Sequence, residues 1–595
     1  MMIKDRIEAL RRLMRREGMN AYVIPTNDFH LSEYTGDYFK ERRFMSGFTG
    51  SAGTLVVTLD DACLWTDGRY YIQAADQLKG SGIRLMKQGM KDVPDIECYL
   101  SDVLSTHDTI GFDGRMADAG WGIRLEKKTS DKEILIKWDK NLVDEIWTDR
   151  PKMPKDKVFI LDEKYAGVSM AEKVHKLRKA MEENHADIHI LTSLEDIAWL
   201  FNLRGRDVKN TPVFMAYVIL EKDTINLYID GDKLDETTNA YLAKNGVTVK
   251  PYHEVYTDIA ALNAGKTSMI DLSKINYAIY KGLQTKTAVC QNPTLLMKAV
   301  KNDVEIENLF KGHIKDGVAF TKFMYWLKTN IGKTEITEIS ASDYLASCRA
   351  AQEGFVDLSF DTICAYNANA AMMHYSATPE SNAVLAPEGF LLVDSGGQYY
   401  EGTTDITRTM ALGPVSDVMK KHFTAVLRGM LGLQNARFLY GCKGINLDIL
   451  ARGPMWDMGI DYQCGTGHGV GYMLSVHEPP NGFRWKVVPE RNDSCVLEVG
   501  MVTTDEPGIY LEGRYGIRIE NELVCRKGEA NEYGQFMYFE PLTFAPIDLD
   551  AIDPEELTKT DKNRLNSYHK LVYDTISPYL TDDEAAWLKV YTRAI

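Results

Sequence analysis

The 595-residue sequence predicts α/β and α+β architecture in series: two duplicated α/β domains, a larger α+β domain, and a helical tail. Three observations predict it. The chain is too long for a single hydrophobic core. A helix-then-strand grammar near the N-terminus returns around residues 172–203. From 390 onward, short apolar strands separated by Gly-rich turns take over.

The first element is an amphipathic helix with Ile3, Ile7, Leu10 and Met14 on one face, stopped by Gly18 and followed by the strand Ala21-Tyr-Val-Ile. Its basic stretch, Arg11, Arg12, Arg15 and Arg16, reads as a solvated face. The second copy places Val174, Leu177 and Met181 on a helix before the strand Ile188-His-Ile-Leu and the segment Leu194-Glu-Asp-Ile-Ala-Trp-Leu-Phe-Asn. Identity between the copies is too low to prove duplication, so the pattern alone suggests it. The charged Arg150-Pro-Lys-Met-Pro-Lys suits a linker, and Gln291-Asn-Pro marks the next boundary. A long helix from 298 to about 329 opens the third domain. Strands are expected at 390–394, 399–409, 496–503 and 515–524, in a mostly antiparallel sheet. The tail predicts two helices, one carrying Leu565, Tyr568, Val572 and Ile576, the other opened by a Thr581-x-x-Glu584 capping box. The expected domains are 1–152, 153–292, 293–530 and 531–595, the last packed on the third.

Composition narrows the function. A net charge of −16 argues against phosphate recognition, which rests on surplus Lys and Arg. Nine scattered cysteines without a CxxC pair read as reduced, intracellular thiols. The start, Met1-Met-Ile-Lys-Asp-Arg, shows no apolar signal region, and no apolar run approaches the roughly 20 residues a bilayer requires. A cytoplasmic protein with no nucleic-acid or membrane partner is expected.

The chemistry sits in the third domain. There is no phosphate loop, no His-Glu-x-x-His helix and no Gly-x-Ser-x-Gly elbow. Asp394 instead ends an apolar strand, a costly place for a carboxylate unless a cation meets it. Asp405 follows eleven residues later across what reads as a hairpin, which brings such residues within about 5 Å. Two carboxylates that close share either a proton or a metal. His468 lies in Gly465-Thr-Gly-His-Gly-Val-Gly, whose glycines admit close backbone approach. Glu506 follows a strand and precedes Pro507-Gly508. Glu520 alternates with Ile517 and Ile519, so Arg518 and Glu520 share the polar face. Each has an ordinary reading alone: a cap, a turn, an Arg518–Glu520 surface ion pair. Together, four carboxylates and one imidazole match two divalent cations, Mn²⁺ first, with Mg²⁺, Co²⁺ or Zn²⁺ as alternatives.

At Val393-Asp394-Ser-Gly, Thr404-Asp405-Ile-Thr-Arg, Gly467-His468-Gly-Val-Gly, Thr504-Asp-Glu506-Pro-Gly and Arg518-Ile-Glu520 the sequence resembles the pita-bread metallopeptidases, the family of methionine aminopeptidase, prolidase and Xaa-Pro aminopeptidase. The resemblance spans nearly the whole chain and is nearest to the long, three-domain Xaa-Pro aminopeptidases. Their first domain is matched by Arg43-Phe-Met-Ser-Gly-Phe-Thr-Gly-Ser-Ala-Gly and Trp65-Thr-Asp-Gly-Arg-Tyr, and their second by Ile197-Ala-Trp-Leu-Phe-Asn-Leu-Arg-Gly. Ala371-Met-Met-His-Tyr-Ser approaches their active site, and Phe539-Glu-Pro-Leu-Thr is similar to their tail.

The resemblance implies two creatinase-like N-terminal α/β domains, a pita-bread catalytic domain, and hydrolysis of the N-terminal Xaa-Pro bond by a hydroxide bridging two divalent metal ions. It implies Asp394, Asp405, His468, Glu506 and Glu520 as metal ligands, with Glu506 also shuttling a proton. It sets His374 and His477 near the substrate carbonyl and the leaving nitrogen, where they stabilise charge or pass a proton. Arg69 is expected to reach the site from a neighbouring subunit of a homodimer, and Arg518 to hold Glu520. The substrates are peptides with proline second, whose ring nitrogen offers no N–H. One departure is Cys464, four residues before His468, where proline-directed relatives carry histidine. It bears on the proline subsite, as a small packing residue or as a soft ligand favouring zinc. Two rivals are a prolidase-type Xaa-Pro dipeptidase and a non-catalytic pita-bread binding module, which lacks the ligands.

Overall fold

The repeated helix-then-strand grammar becomes the same six-stranded mixed sheet twice. The computed structural model describes residues 2–488 and 493–595, so Met1 of the N-terminal stretch lies outside the described residues. Two compact units result: Met1–Asp162 with Val168–Thr294, and Glu163–Gly167 with Leu295–Ile595.

In the first unit one sheet runs Arg84–Lys87, Ala62–Thr66, Thr54–Thr58, Ala21–Pro25, Thr109–Gly111, Leu135–Lys137. The other runs Val247–Lys250, Ile225–Ile229, Ala216–Glu221, Ile188–Leu191, Thr267–Ile270, Lys286–Val289. Strand order and pairing directions agree step by step, antiparallel at the second and third steps and parallel elsewhere. Topology thus establishes the duplication that sequence identity left open. The helix Ile3–Glu17 buries Ile7, Leu10 and Met14 and ends at Gly18, whose φ of 65° is left-handed. Arg12, Arg15 and Arg16 are solvated, as expected, while Arg11 donates to the Thr58 carbonyl. Ser169 and Glu172 close a capping box on the second copy's helix, Met170–Glu183. Residues 151–158 have no regular structure.

Every strand pair of the second unit is antiparallel among the described residues. Its long helix begins at Asp303 rather than near 298. The chain leaves the preceding helix Pro293–Ala299 because Val300 bridges to Met501, and Asn302 with Glu305 then caps a new start. The strand expected over 399–409 is broken into Gly397–Tyr399, Gly402–Thr403 and Ile406–Ala411. That expected over 496–503 is Val502–Asp505, and 515–524 divides into Tyr515–Arg518 and Asn521–Asn531. The division falls at Glu520, whose N–H leaves the ladder for the Thr407 carbonyl. Two unanticipated helices, Asp417–Gln434 and Gly444–Trp456, cover the sheets. Phe423, Val426, Leu427 and Met430 of the first pack with Phe390, Ile517 and Ile519.

Both tail helices form as expected, Lys559–Ile576 and Asp582–Tyr591, the second with the Thr581–Glu584 box. Leu565, Tyr568, Val572 and Ile576 join the core of Phe423 and Ile517, and Tyr568 OH meets Arg408 and Asn521. The hairpin Asn521–Asn531/Gly534–Pro541 runs through position 530. Among the described residues no helix is long and apolar enough to cross a membrane.

Candidate metal centre

Period-two alternation aims Asp394. On the strand Phe390–Ser395, Leu391 and Val393 pack against Phe320, Phe323 and Leu327 of the long helix. Asp394 therefore points to the opposite side, where Arg518 Nη2 donates to its Oδ2 at 2.6 Å. The antiparallel register sets Thr407 opposite Asp394 and Ser395 opposite Ile406, so Asp405 lies two positions before the residue that faces Asp394. The connection is longer than a simple hairpin because residues 397–403 pair among themselves.

His468 enters on the short strand Gly467–His468. Its Nδ1 sits 3.0 Å from the Gly469 carbonyl, which can only accept. The Nε2 lone pair is therefore left facing Asp405 Oδ2 at 3.5 Å and Glu506 Oε1 at 3.4 Å. The glycines are required: a Cβ at Gly467 would come within 1.8 Å of the Thr504 carbonyl oxygen, and one at Gly469 within 2.1 Å of that of Glu478. Thr504 Oγ1 takes the His468 N–H at 3.0 Å and donates to Glu506 Oε1 at 3.3 Å. The Glu506 N–H is fixed to the Thr466 carbonyl at 2.8 Å. Glu520 accepts from Thr407 Oγ1 at 2.6 Å.

Asp405, His468 and Glu520 each offer a ligand atom, all within 4.8 Å of one another. Glu506 borders this trio, its Oε1 3.4 Å from His468 Nε2, and Asp394 faces Thr407, the residue that donates to Glu520. The electrostatics without a cation are unfavourable. Burial first, and then Asp394 and Glu506, push the Asp405 carboxyl well above its ordinary pKa. Burial first, and then Asp405 and Glu506, do the same to Glu520. Asp394 Oδ1, Asp405 Oδ1 and Glu520 Oε1 are buried with no hydrogen-bond partner among the described residues. Four acids meet one guanidinium, with three orphaned oxygens turned inward, so the donor set fits divalent cations.

The five ligand candidates therefore converge. The His477 ring lies edge-on to His468, centroids 4.2 Å apart at 80°. Its neighbour Glu478 is buried against Lys298 and Lys301, which anchors that loop. His374 is half-buried next to Met373, whose carbonyl is 3.4 Å from Arg518 Nη2. Arg69 belongs to the first unit, where its guanidinium forks onto Asp67 at 2.8 Å through both Nε and Nη2. One expectation is corrected: Arg518 grips Asp394, and meets Glu520 only through Thr407 Oγ1, to which its Nε donates at 3.2 Å. The polar partner of Arg518 alternates to the far strand because the site face of Ile406–Ala411 carries Thr407. Sequence reasoning missed Thr407, Thr504 and Tyr510, whose hydroxyl accepts from Arg518 Nη1 at 2.6 Å. Alternation beside each acid is the signal that could have found the threonines; nothing marks Tyr510.

Cys464 is not in the trio whose ligand atoms converge. Burial first, and then the Glu506 charge, push its thiol up to about 11, which disfavours the thiolate. Cys464→Ser should leave the metal content of the purified protein unchanged by elemental analysis; loss of one equivalent on that substitution would restore the soft-ligand view.

The sequence matches the models of metallopeptidase family M24 over residues 307–527 and of the C-terminal region of peptidase M24 over 535–595. Two models of a creatinase/prolidase N-terminal domain match 6–141 and 149–305. It is 39% identical over 618 residues to a probable Xaa-Pro aminopeptidase P of Tuber melanosporum, covering 99% of each chain. It is 38% identical to aminopeptidase P2 of Arabidopsis thaliana, covering 100% of this chain and 89% of that one. The structure superposes at a TM-score of 0.95, with 34% identity and full coverage of both chains, on an X-prolyl aminopeptidase from Caenorhabditis elegans described as a cytosolic enzyme with a di-nuclear active site. A prolidase from Pyrococcus horikoshii, 22% identical at a TM-score of 0.50, shares the fold over 64% of this chain and 99% of its own.

Proposed function

Because this chain belongs to metallopeptidase family M24, we propose that it is a metal-dependent Xaa-Pro aminopeptidase, removing the first residue of peptides whose second residue is proline. Its architecture is that of the family, two creatinase-type α/β domains followed by a pita-bread domain. One observation carries the proposal: the ligand atoms of Asp405, His468 and Glu520 meet within 4.8 Å beside orphaned carboxylate oxygens.

Asp394, Asp405, His468, Glu506 and Glu520 would hold two divalent ions, Mn²⁺ first on the hardness of the oxygen donors, with Zn²⁺ or Co²⁺ able to replace it. Such ions, when bound, lower the pKa of water and polarise a carbonyl. The chain's own residues do the rest. Arg518 fixes Asp394 from one side, and Thr407 fixes Glu520. Glu506 Oε1, which accepts from Thr504, is positioned to take a proton from water and return it to the leaving nitrogen. His477, edge-on to His468, and His374, beside the Arg518 contact, are assigned to the substrate carbonyl and leaving group. A free α-amine would meet the metals and the carboxylates beside them, which restricts cleavage to the first residue.

Arg69 is assigned to substrate binding from a partner subunit. A homodimer is supported by the exposed apolar residues Ile445, Ile449, Trp456 and Trp485, on and beside the helix Gly444–Trp456. Cytoplasmic residence is supported by nine free cysteines. The domain divisions at 152, 292 and 530 belong to the same proposal. Parallel assays of Xaa-Pro-Xaa and Xaa-Ala-Xaa peptides with Mn²⁺ added test the function, and cleavage of the proline series alone is expected. Cleavage of Gly-Pro without Arg-Pro-Pro would assign a prolidase instead, and metal-free protein inert to both would leave a binding module.

A further inference from the structure

Beneath Asp405 lies a buried ion pair that the proposed chemistry does not use. Glu522 follows Glu520 by two residues, on the strand Asn521–Asn531, and is fully buried. Its Oε1 accepts the backbone N–H of Asp405 at 2.6 Å and stands 3.1 Å from His313 Nε2. His313, also buried, sits on the helix Asp303–Asn330, and its Nδ1 lies 2.8 Å from the Leu309 carbonyl. A carbonyl accepts only, so Nδ1 carries a hydrogen. Nε2 then faces the Glu522 carboxylate at ion-pair distance, so the two buried side chains stand against each other directly beneath Asp405. One helical turn on, Asp316 is gripped by Arg349 at 2.6 and 3.1 Å and by Tyr399 OH at 3.0 Å, which fixes that helix face.

The peptide unit between Thr404 and Asp405 is held from both ends. Its N–H goes to Glu522, and its carbonyl accepts from Ser359 Oγ at 2.8 Å. Gly396 closes on the same carbonyl oxygen so tightly that a Cβ there would come within 1.8 Å. A neutral acceptor would satisfy one N–H. A carboxylate buried next to the four candidate ligands is instead a costly choice, and the buried His313 ring is the polar partner the fold sets against it. Clamping a peptide plane fixes the direction in which the next side chain leaves the backbone.

We propose that the His313–Glu522 ion pair is a positioning device for Asp405, locking the backbone from which this carboxylate projects and so setting the affinity of the site for its metal ions. It rests on the family M24 reading of the site. Outer-shell partners of metal ligands typically hold about 10–100-fold in affinity, and the same scale is expected here.

The test uses the full chain, stripped with chelator and titrated calorimetrically with Mn²⁺. Glu522→Ala should weaken Mn²⁺ binding by about 10–100-fold. Glu522→Gln, which still accepts from the Asp405 amide, should recover much of that loss, and His313→Gln should fall between. The double variant His313→Gln/Glu522→Ala should bind no more weakly than Glu522→Ala alone, because the two residues act as one unit. Unchanged Mn²⁺ affinity in Glu522→Ala, or in His313→Gln where the alanine variant does not fold, overturns the proposal. A lowered melting temperature with wild-type affinity also overturns it, since that reports a packing role only. Wild-type protein that takes up no Mn²⁺ sinks the metal-site reading itself, and with it this inference.

Discussion

Asp405→Asn and Glu520→Gln should each abolish turnover while leaving the chelator-stripped protein at least as stable as the parent. Both carboxylates are buried, both carry an unpartnered oxygen, and both are pushed toward protonation by burial and by their acidic neighbours. An amide of the same shape removes one negative charge from that crowd but cannot take its place as an anionic ligand. Relief of such local strain typically contributes about 0.5–2 kcal/mol, so melting in chelator should rise or hold. The catalytic cost runs the other way. Removing one member of a unit that acts together lowers turnover by about 10⁴-fold or more. The measurements are kcat/KM on a proline tripeptide, bound metal by elemental analysis, and Tm in chelator. Either variant retaining activity contradicts the ligand assignment, and a large loss of stability without metal would show that the carboxylates are paired by something other than cations. The opposed signs identify a site built for function at the expense of the empty fold.

Much of this site was legible in the sequence because each acid sits where alternation or a turn makes its direction predictable. Asp394 follows Leu391 and Val393, which pack on the long helix, so the odd residue out had to face away from them. Glu520 alternates with Ile517 and Ile519, both in the core, which fixed its side of the strand. His468 was marked by glycines that the structure shows to be required by contact with Thr504 and Glu478. The tail helices were legible from spacing and a capping box, local signals that no tertiary contact contradicts.

What was not legible depends on contacts distant along the chain. The long helix starts late because Val300 pairs with Met501, two hundred residues away, although Asn302-x-x-Glu305 was itself a readable cap. Arg518 takes Asp394 rather than its neighbour Glu520 because Thr407, more than a hundred positions away, stands between the two and itself donates to Glu520. Glu522 and His313 carried no sequence signal at all, since their partnership joins a helix to a strand across 209 positions. The duplication was half legible: the grammar repeats, but only the matching strand order, antiparallel and parallel steps included, distinguishes a repeated fold from a repeated habit.

The stripped protein should lose stability as pH rises from acid toward neutrality, and Mn²⁺ should reverse that trend. Asp405 and Glu520 have ordinary values of 3.8 and 4.5, and both are raised well above these in the fold, by burial first and by neighbouring carboxylates next. Between each ordinary value and the raised one, the folded state binds more protons than the unfolded chain. Stability therefore falls with pH across that window, opposite in sign to the usual salt-bridged carboxylate. Below the ordinary values both states are protonated and the effect is absent; above the raised values the penalty is complete. Metal binding needs the same carboxylates ionised and releases their protons, so its affinity rises with pH. At a free ion concentration of about 100 times Kd, binding adds roughly 2.7 kcal/mol to stability. The gap in Tm between Mn²⁺-loaded and chelated protein should thus widen steadily from mildly acidic to neutral pH. Thermal scans of both forms at stepped pH measure it. A gap that is constant with pH, or chelated protein that gains stability toward neutrality, would mean that these carboxylates are already neutralised within the protein and have no need of metal.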